Sequence, residues 1–514
     1  MEAGLEFFRN FPFFSIILAM FSGIISSALN GKWARRVCLT MVSLVLLLSI
    51  GTLVYTASLG ESVTYMMGHF PAPWGNEIRF GVLEALMAVF FTVIMLLSIL
   101  GGMNHIRTDI EETKVNLFFV LINLMMSSLL ALIYTNDLFT GYVFVEINTI
   151  AACGMIMIRQ NGHGIVAAIR YMVMSQIGSG LFLIGISILY DITGQLLMVS
   201  AREEVDVIAE TGQYWIPLVV IIALISVGLG IKSGLYPFHS WIPETYGYAT
   251  PTASAILSSL VSKGYIILLV KIYYRVIGIE VVNSTHVQNA LFAFGVIAMI
   301  MGSVHAIQQD DVRKVIAYSS VAQIGYIYMG IGLGTKAGMI AALFHIMTHA
   351  ATKSMLFISA TGLYEVSDGK TDFVSLRGSG YRNHLAGIAF SAGALSMVGF
   401  PMLSGFISKL LFATAALERP HKMLIMIFAL VISTVLNAIY FLRLVVTIYS
   451  ARDPKESRHV GHFYHENVTA GKGRYVNSVP AILSMLLLIA LNLFLGLFSG
   501  MVVNAIQSGL AMFG

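Results

Sequence analysis

The chain has 514 residues, of which 57% are hydrophobic and 11% charged, against roughly 25% charged in an ordinary soluble domain. That balance excludes a soluble enzyme, a nucleic-acid binder and a disordered chain, and it reads as an all-α polytopic membrane protein. Lys+Arg number 30 and Asp+Glu 26, a formal charge of +4, so the placement of charges says more than their sum.

Taken in order, the first residues carry Glu2, Glu6 and Arg9 and show no cleavable signal pattern. Apolar runs long enough for a membrane helix, about 20 residues each, then follow near 12–30, 37–57, 83–103, 115–134, 138–158, 165–190 and 215–235. They continue near 250–275, 289–307, 313–332, 337–363, 384–410, 422–448 and 479–503, about fourteen transmembrane helices in all. The longest polar stretches are 58–80, 191–214, 364–383 and 449–478. Loops on one side hold about sixteen Lys/Arg against about eight opposite, which predicts both termini on the outer side of a cell membrane.

The informative residues are ionisable groups inside those runs, where each costs several kcal/mol or so unless paired or hydrated. Glu146 lies in GYVFVEINTIAACGMIMI, Lys232 in SVGLGIKSGLYPFHSWIPE and Lys263 in ILSSLVSKGYIILLV. His345, His349 and Lys353 lie in ALFHIMTHAATKSMLF, and Lys409 in MVGFPMLSGFISKLLF. They fall on five different spans and could line a route through a bundle. Lys271, Arg275 and Arg443 stand near span ends and read as snorkelling side chains; Glu84, at the start of span three, reads as interfacial.

Two lysines sit beside helix breakers. Lys232 lies among Gly230, Gly234 and Pro237, and Lys409 follows Gly399, Pro401 and Gly405. Broken backbone at membrane depth is tolerated where it meets protein or a water-filled cavity. Breaks at two comparable places point to a transporter built from inverted repeats. A desolvated lysine releases its proton more readily and a nearby carboxylate holds it, so a Glu–Lys pair can act as a switch and a Lys/His series as a relay. His345 and His349, four apart, share one helical face, but no third ligand and no HEXXH accompany them, so no metal is expected. Cys38 and Cys153 cannot hold an iron–sulfur cluster alone, and no haem ligand set is visible; no cofactor is expected. His459, His462 and His465 read as solvated loop.

The motifs carry a resemblance. YVFVEI, KSGLYPFHSWIPETYGYATPTASAILSSLVSKGY, DDVRKVIAYSSVAQIGY, FHIMTHAATKSMLF and GFPMLSGFISK together resemble the antiporter-like membrane subunits shared by respiratory complex I, Mrp-type cation/proton antiporters and energy-converting membrane-bound hydrogenases. PAPWGNEIRFGVLEALM is closest in flavour to the Mrp and hydrogenase branch. The chain departs from the pattern it resembles at Gly81 and its neighbours, where an acidic residue is usual. The resemblance implies helices 1–3 over 1–114, inverted five-helix repeats over 115–275 and 289–448, and a polar loop with a last helix over 449–514, helices 7 and 12 being discontinuous at Pro237 and Pro401. It implies Glu146–Lys232 as a gating pair, Lys263 as the central relay, His345 and His349 as a bridge and Lys409 as the exit-side carrier. Lys353, Tyr318, Ser319, Ser320 and Gln323 are further polar candidates, with helix packing an equal explanation for the serines. The implied partners are homologous membrane subunits, a peripheral redox module, H⁺, Na⁺ and lipid, with no nucleic acid.

Four functions remain open at this stage. One is a proton- or Na⁺/H⁺-translocating subunit of a multisubunit complex without its own redox group. A second is a quinone- or haem-binding redox subunit. The others are a stand-alone secondary transporter and a scaffold with relic charges. The missing haem and cluster ligands count against the second, and a Lys/His series suits ion relay better than a site for a zwitterionic solute.

Overall fold

The computed structural model describes residues 7–70, 75–451 and 477–513. Among them, eleven helices are long and apolar enough to cross a membrane. In chain order the helices that build the bundle are α1 (Phe11–Ser27), α2 (Gly31–Leu59), α3 (Val82–Gly101), α4 (Val115–Tyr134), α5 (Leu138–Met157), α6 (Gly162–Thr193), α7 (Trp215–Ser233) and α8 (Pro251–Ile277). The series continues with α9 (Val287–Ile307), α10 (Val312–Gly332), α11 (Lys336–Glu365), α12 (His384–Val398), α13 (Ser404–Ala416), α14 (Pro420–Tyr449), α15 (Val479–Leu497) and α16 (Ser499–Ala511). The fold is that of an all-helical polytopic membrane protein.

The helices at the centre of the bundle carry Lys263 and Lys353. α8 is enclosed along its whole length and α10 nearly so, whereas α2, α14 and α15 show most of their surface outward. The division follows composition. α2, α14 and α15 expose Leu, Ile, Val and Phe to the surroundings. α8, α10 and α11 carry the buried hydroxyls Ser254, Ser258, Ser262, Ser319, Thr348 and Thr352, groups that let helices approach and bond in an apolar medium. α9 and α10 meet at glycines: a Cβ on Gly325 would lie 2.6 Å from the Gly295 carbonyl oxygen.

Two helix ends are followed by a short non-helical stretch. α7 ends at Ser233, with Gly234 in the left-handed region, and helix resumes at Ile242–Tyr248. α12 ends at Val398 with Gly399 at φ +94°, and helix resumes at Ser404. α8 contains π-helical turns at Leu257–Val261 and Tyr273–Ile277.

Two polar stretches hold structure the sequence does not announce. Within 58–80, Val63–Met66 pairs antiparallel with Glu77–Phe80 in the register Val63↔Phe80. This hairpin lies over the end of α4, bridging to Thr135 through Ile78. Within 191–214, Met198–Thr211 is an amphipathic helix that buries Met198, Ala201, Val205 and Ile208. His459, His462 and His465 lie outside the described residues.

Candidate ion-translocation site

The residues singled out from sequence converge on one buried row. At one side of the bundle Glu146, half-buried on α5, accepts from Lys232 Nζ at 3.1 Å and from Gln176 Nε2 at 3.1 Å, and it also accepts from the Ser179 hydroxyl. Gln176 is exposed, so this end of the row reaches the lateral surface. Lys232, at the broken end of α7, is fully buried; it also donates to Thr149 Oγ1 at 2.6 Å and lies 5.7 Å from the Tyr265 ring centroid.

Lys263 is the next group inward. It is wholly buried on α8 and donates to the Ser258 carbonyl, inside the π-helical turn that precedes it. A π turn shifts the backbone bonding pattern and here presents a carbonyl to the ammonium. No carboxylate among the described residues pairs with Lys263. Ser258 bonds Ser320 on α10 at 3.2 Å. Beside Ser320, Ser319 accepts from Lys353, which also donates to the Ile316 carbonyl at 2.8 Å. The centre of the row therefore ties α8, α10 and α11 through hydroxyls and lysines.

From there two histidines lead on. His345 and His349 are stacked, with ring centroids 6.0 Å apart and planes 10° from parallel. His345 Nδ1 is 2.6 Å from Ser408 Oγ. Its neighbour Lys409, partly exposed, donates to the Val398 carbonyl at 2.6 Å and to Thr434 Oγ1 at 3.0 Å. Val398 is the last helical residue before the α12 break, so the break supplies the acceptor. Gly399 meets the break's need for a positive φ, and a Cβ there would press on Lys409, 3.0 Å from its Cδ.

Several buried polar atoms on the row have no partner among the described residues: both ring nitrogens of His349, Nε2 of His345, Nε2 of Gln323 and the hydroxyls of Ser259, Thr348 and Tyr326. Buried polar groups are nearly always satisfied, and a polar row of this length suits ordered water.

Not every candidate falls on the row. Tyr318 turns to the other side of α10, against His305 at 5.5 Å and His239 at 6.4 Å between ring centroids. Pro237 and Pro401 are exposed and act through the breaks they mark. Sequence reasoning missed Thr149, Gln176, Ser179, Ser258, Ser408 and Thr434, which hold the charged groups in place. It also misjudged one helix end. Glu84, Lys271 and Arg275 are buried, not interfacial: Arg275 Nη2 lies 2.6 Å from Glu84 Oε1, with both side chains 1% exposed. Lys271 is fully buried and donates to the Ile133 carbonyl at 2.7 Å and to that of Thr135. Arg443 does sit at the surface, paired with Asp310 at 2.8 Å. Among the described residues no group of three or more His, Cys, Asp or Glu comes together to hold a metal ion.

Three comparisons bear on this arrangement. A family model described as the transmembrane part of NADH:quinone oxidoreductase and the Mrp antiporter matches residues 135–436. The NADH-quinone oxidoreductase subunit N of Desulforudis audaxviator is 32% identical over 88% of this chain and 88% of its own length. A Na⁺/H⁺ antiporter subunit of Bacillus subtilis is 26% identical over 78% of this chain and 79% of its own. Among solved structures, a chain of the Mrp complex from Dietzia sp. superposes with a TM-score of 0.84 at 22% identity, over 98% of this chain and 97% of that one. A chain of an archaeal membrane-bound sulfane sulfur reductase gives 0.83 at 24% identity, with the same coverage.

Proposed function

The chain belongs to the NADH:quinone oxidoreductase/Mrp antiporter transmembrane family, and we propose that the row from Glu146 to Lys409 is its ion path. The chain is an antiporter-like, ion-translocating subunit. In this reading it moves protons, or exchanges Na⁺ for protons. Glu146–Lys232 is the gate, Lys263 the relay, Lys353 a neighbouring charge, His345 and His349 the bridge, and Lys409 the carrier on the far side. When Glu146 leaves Lys232, the ammonium is left in an apolar site with only a hydroxyl acceptor, and its proton passes inward through water. The rings and hydroxyls then hand it on.

The observation that carries this reading is Lys263. A wholly buried lysine with no carboxylate partner is a poor structural element, because removing a charge from water costs several kcal/mol or so. Its position between the two charged ends accounts for that cost only if the charge comes and goes. Both ends of the row reach the side of the bundle, at Gln176 and near Lys409. That suits neighbouring membrane subunits, as in the complexes named for the relatives. The same reading takes fourteen spans, repeats over 115–275 and 289–448 with discontinuous seventh and twelfth helices, and an outward-facing C-terminus.

The test uses the chain within its native complex in sealed vesicles. Lys232→Ala, Lys263→Ala and Lys409→Ala should each assemble and lose most ion movement, read by an internal pH dye and by Na⁺ uptake. Normal movement in all three would leave the row a scaffold.

A further inference from the structure

One buried amide lies outside the row yet touches both sides of its far end. α15 is apolar along its length except for Ser484 and Asn492, and Asn492 is wholly buried. Its Nδ2 donates to Thr352 Oγ1 on α11 at 2.8 Å. Its Oδ1 accepts from the Ser404 hydroxyl at 3.1 Å and from the Ser404 backbone N–H at 3.3 Å, at the first residue of α13. The chemistry admits one orientation of this amide. A backbone N–H only donates, so Oδ1 must face Ser404. The Thr352 hydroxyl gives its proton to the Thr348 carbonyl at 2.8 Å, which leaves its oxygen as the acceptor for Nδ2.

These bonds sit at the α12 break. Ser396 Oγ, on α12, lies 3.3 Å from Ser404 Oγ and accepts from the Gly405 N–H at 3.3 Å. Between them Gly399 and Met402 are both left-handed, at φ +94° and +72°. A non-glycine residue in that region persists only where its surroundings hold it. α15 supplies part of the hold: a Cβ on Gly496, one turn beyond Asn492, would lie 2.1 Å from the Met402 carbonyl oxygen. Past the break, Ser408 stands one turn after Ser404 on the same face of α13 and meets His345 Nδ1, with Lys409 next in sequence. Thr352 adjoins Lys353 on α11. α11 and α13 are therefore joined at two levels, directly through His345–Ser408 and by way of α15 through Thr352–Asn492–Ser404. An amide that only glues helices needs one partner; Asn492 holds two helices, and both carry charged groups of the row.

We propose that Asn492 is a positioning residue of the ion path, a latch that ties the α12 break to α11 and keeps Lys409 and Ser408 in register with His345. The inference rests on reading the row as the ion path. With the latch closed, α13 cannot pivot at the break without giving up both Asn492–Ser404 bonds. With it open, the Lys409 ammonium loses its fixed distance to the Val398 carbonyl and to the Ser408–His345 pair. The hand-over between histidine and lysine then fails for want of alignment, not of charge.

The test uses the full chain in its native complex in sealed vesicles. Asn492→Leu, close to the amide in shape and without its bonds, should assemble. Amide exchange over 399–410, read by mass spectrometry, should quicken about tenfold. Turnover-driven ion movement per assembled complex should fall about tenfold. Ser484→Ala cuts the other side-chain bond of α15, to the Leu97 carbonyl at 2.7 Å, and should leave both readings within about twofold of wild type. Thr352→Val removes the α11 end of the latch, so adding it to Asn492→Leu should slow ion movement no further; alone, it is the second variant if leucine impairs assembly. Unchanged exchange over 399–410 overturns the proposal. So does ion movement no lower than in Ser484→Ala, or a double variant slowed by the product of the two single effects. Lys263→Ala is read beside them: normal pumping there removes the ion path, while exchange at the break still reports whether Asn492 holds it.

Discussion

Replacing Lys263 by methionine separates a relay from a scaffold more sharply than any other change, because the two readings predict opposite relations between stability and activity. The side chain is wholly buried, has no carboxylate partner among the described residues and makes one contact to the Ser258 carbonyl. Methionine has similar length and no charge. The substitution forfeits one charge-assisted hydrogen bond of about 1.5–3 kcal/mol. It also removes the several kcal/mol or so that burying an ammonium costs. The balance is a gain of roughly 1–3 kcal/mol in stability, in line with the behaviour of buried ions replaced by apolar side chains. The melting temperature in detergent should rise by a few degrees or so. Ion movement under turnover should fall about 100-fold or more, the scale of losing a group that gives and takes the proton. A variant that melts lower and pumps within about twofold of wild type would refute the argument, since Lys263 would then be a structural anchor.

Glu146→Gln keeps the acceptor oxygen for Ser179 but leaves Lys232 without its counter-charge at 3.1 Å. The Coulomb energy at that distance is about 5 kcal/mol at an effective dielectric of ~20, lowered towards ~3 by the carboxylate's partial exposure. Pumping should drop about 100-fold, and Glu146→Gln/Lys232→Met should be no slower than either single variant, as a double-mutant cycle of rates would show. Gly399→Ala puts a Cβ in the left-handed region against Lys409 and should cost about 1–3 kcal/mol in stability while loosening Lys409 from the Val398 carbonyl; thermal melting and ion flux report both. Ser408→Ala removes the partner of His345 Nδ1 and should slow ion movement about tenfold without changing assembly, read as turnover-driven dye quenching against complex yield.

The legible part of the site was its charge. Lys232, Lys263, Lys353 and Lys409 stand out in apolar runs because the bilayer makes each of them expensive, and Gly399, Pro401 and Gly405 announce the break that supplies the Lys409 acceptor. What holds those charges was not legible. Thr149, Ser179, Ser258 and Thr434 are ordinary hydroxyls of the kind that pack membrane helices, and only the contact tells one from another. Tyr318 and Ser319 show the limit at a single step: adjacent on α10, they point about 100° apart, so Ser319 meets Lys353 while Tyr318 meets His305 and His239. The helix Met198–Thr211 was legible in principle, from apolar residues at 198, 201, 205 and 208, but the surrounding polar stretch masked the period.

Glu84, Lys271 and Arg275 mark a different kind of failure. Position near a span end normally means the interface, where a long basic side chain reaches water. Here that end is covered by the hairpin of Val63–Met66 and Glu77–Phe80 and by the tail after α16, which brings Phe513 onto Arg275. For Arg275 the cover comes from segments roughly two hundred residues away on either side, so no local pattern can reveal it. The physical consequence is general for this chain: whether a charge near the end of a helix is solvated or confined depends on what the polar stretches do, and they are the part of the sequence where periodicity says least. Once confined, Arg275 must pair, and Glu84 is the carboxylate in reach; the second cation, Lys271, has only carbonyls. That imbalance separates the cluster from a simple clamp, in the same way that the unpartnered Lys263 separates the central row from a packed polar core.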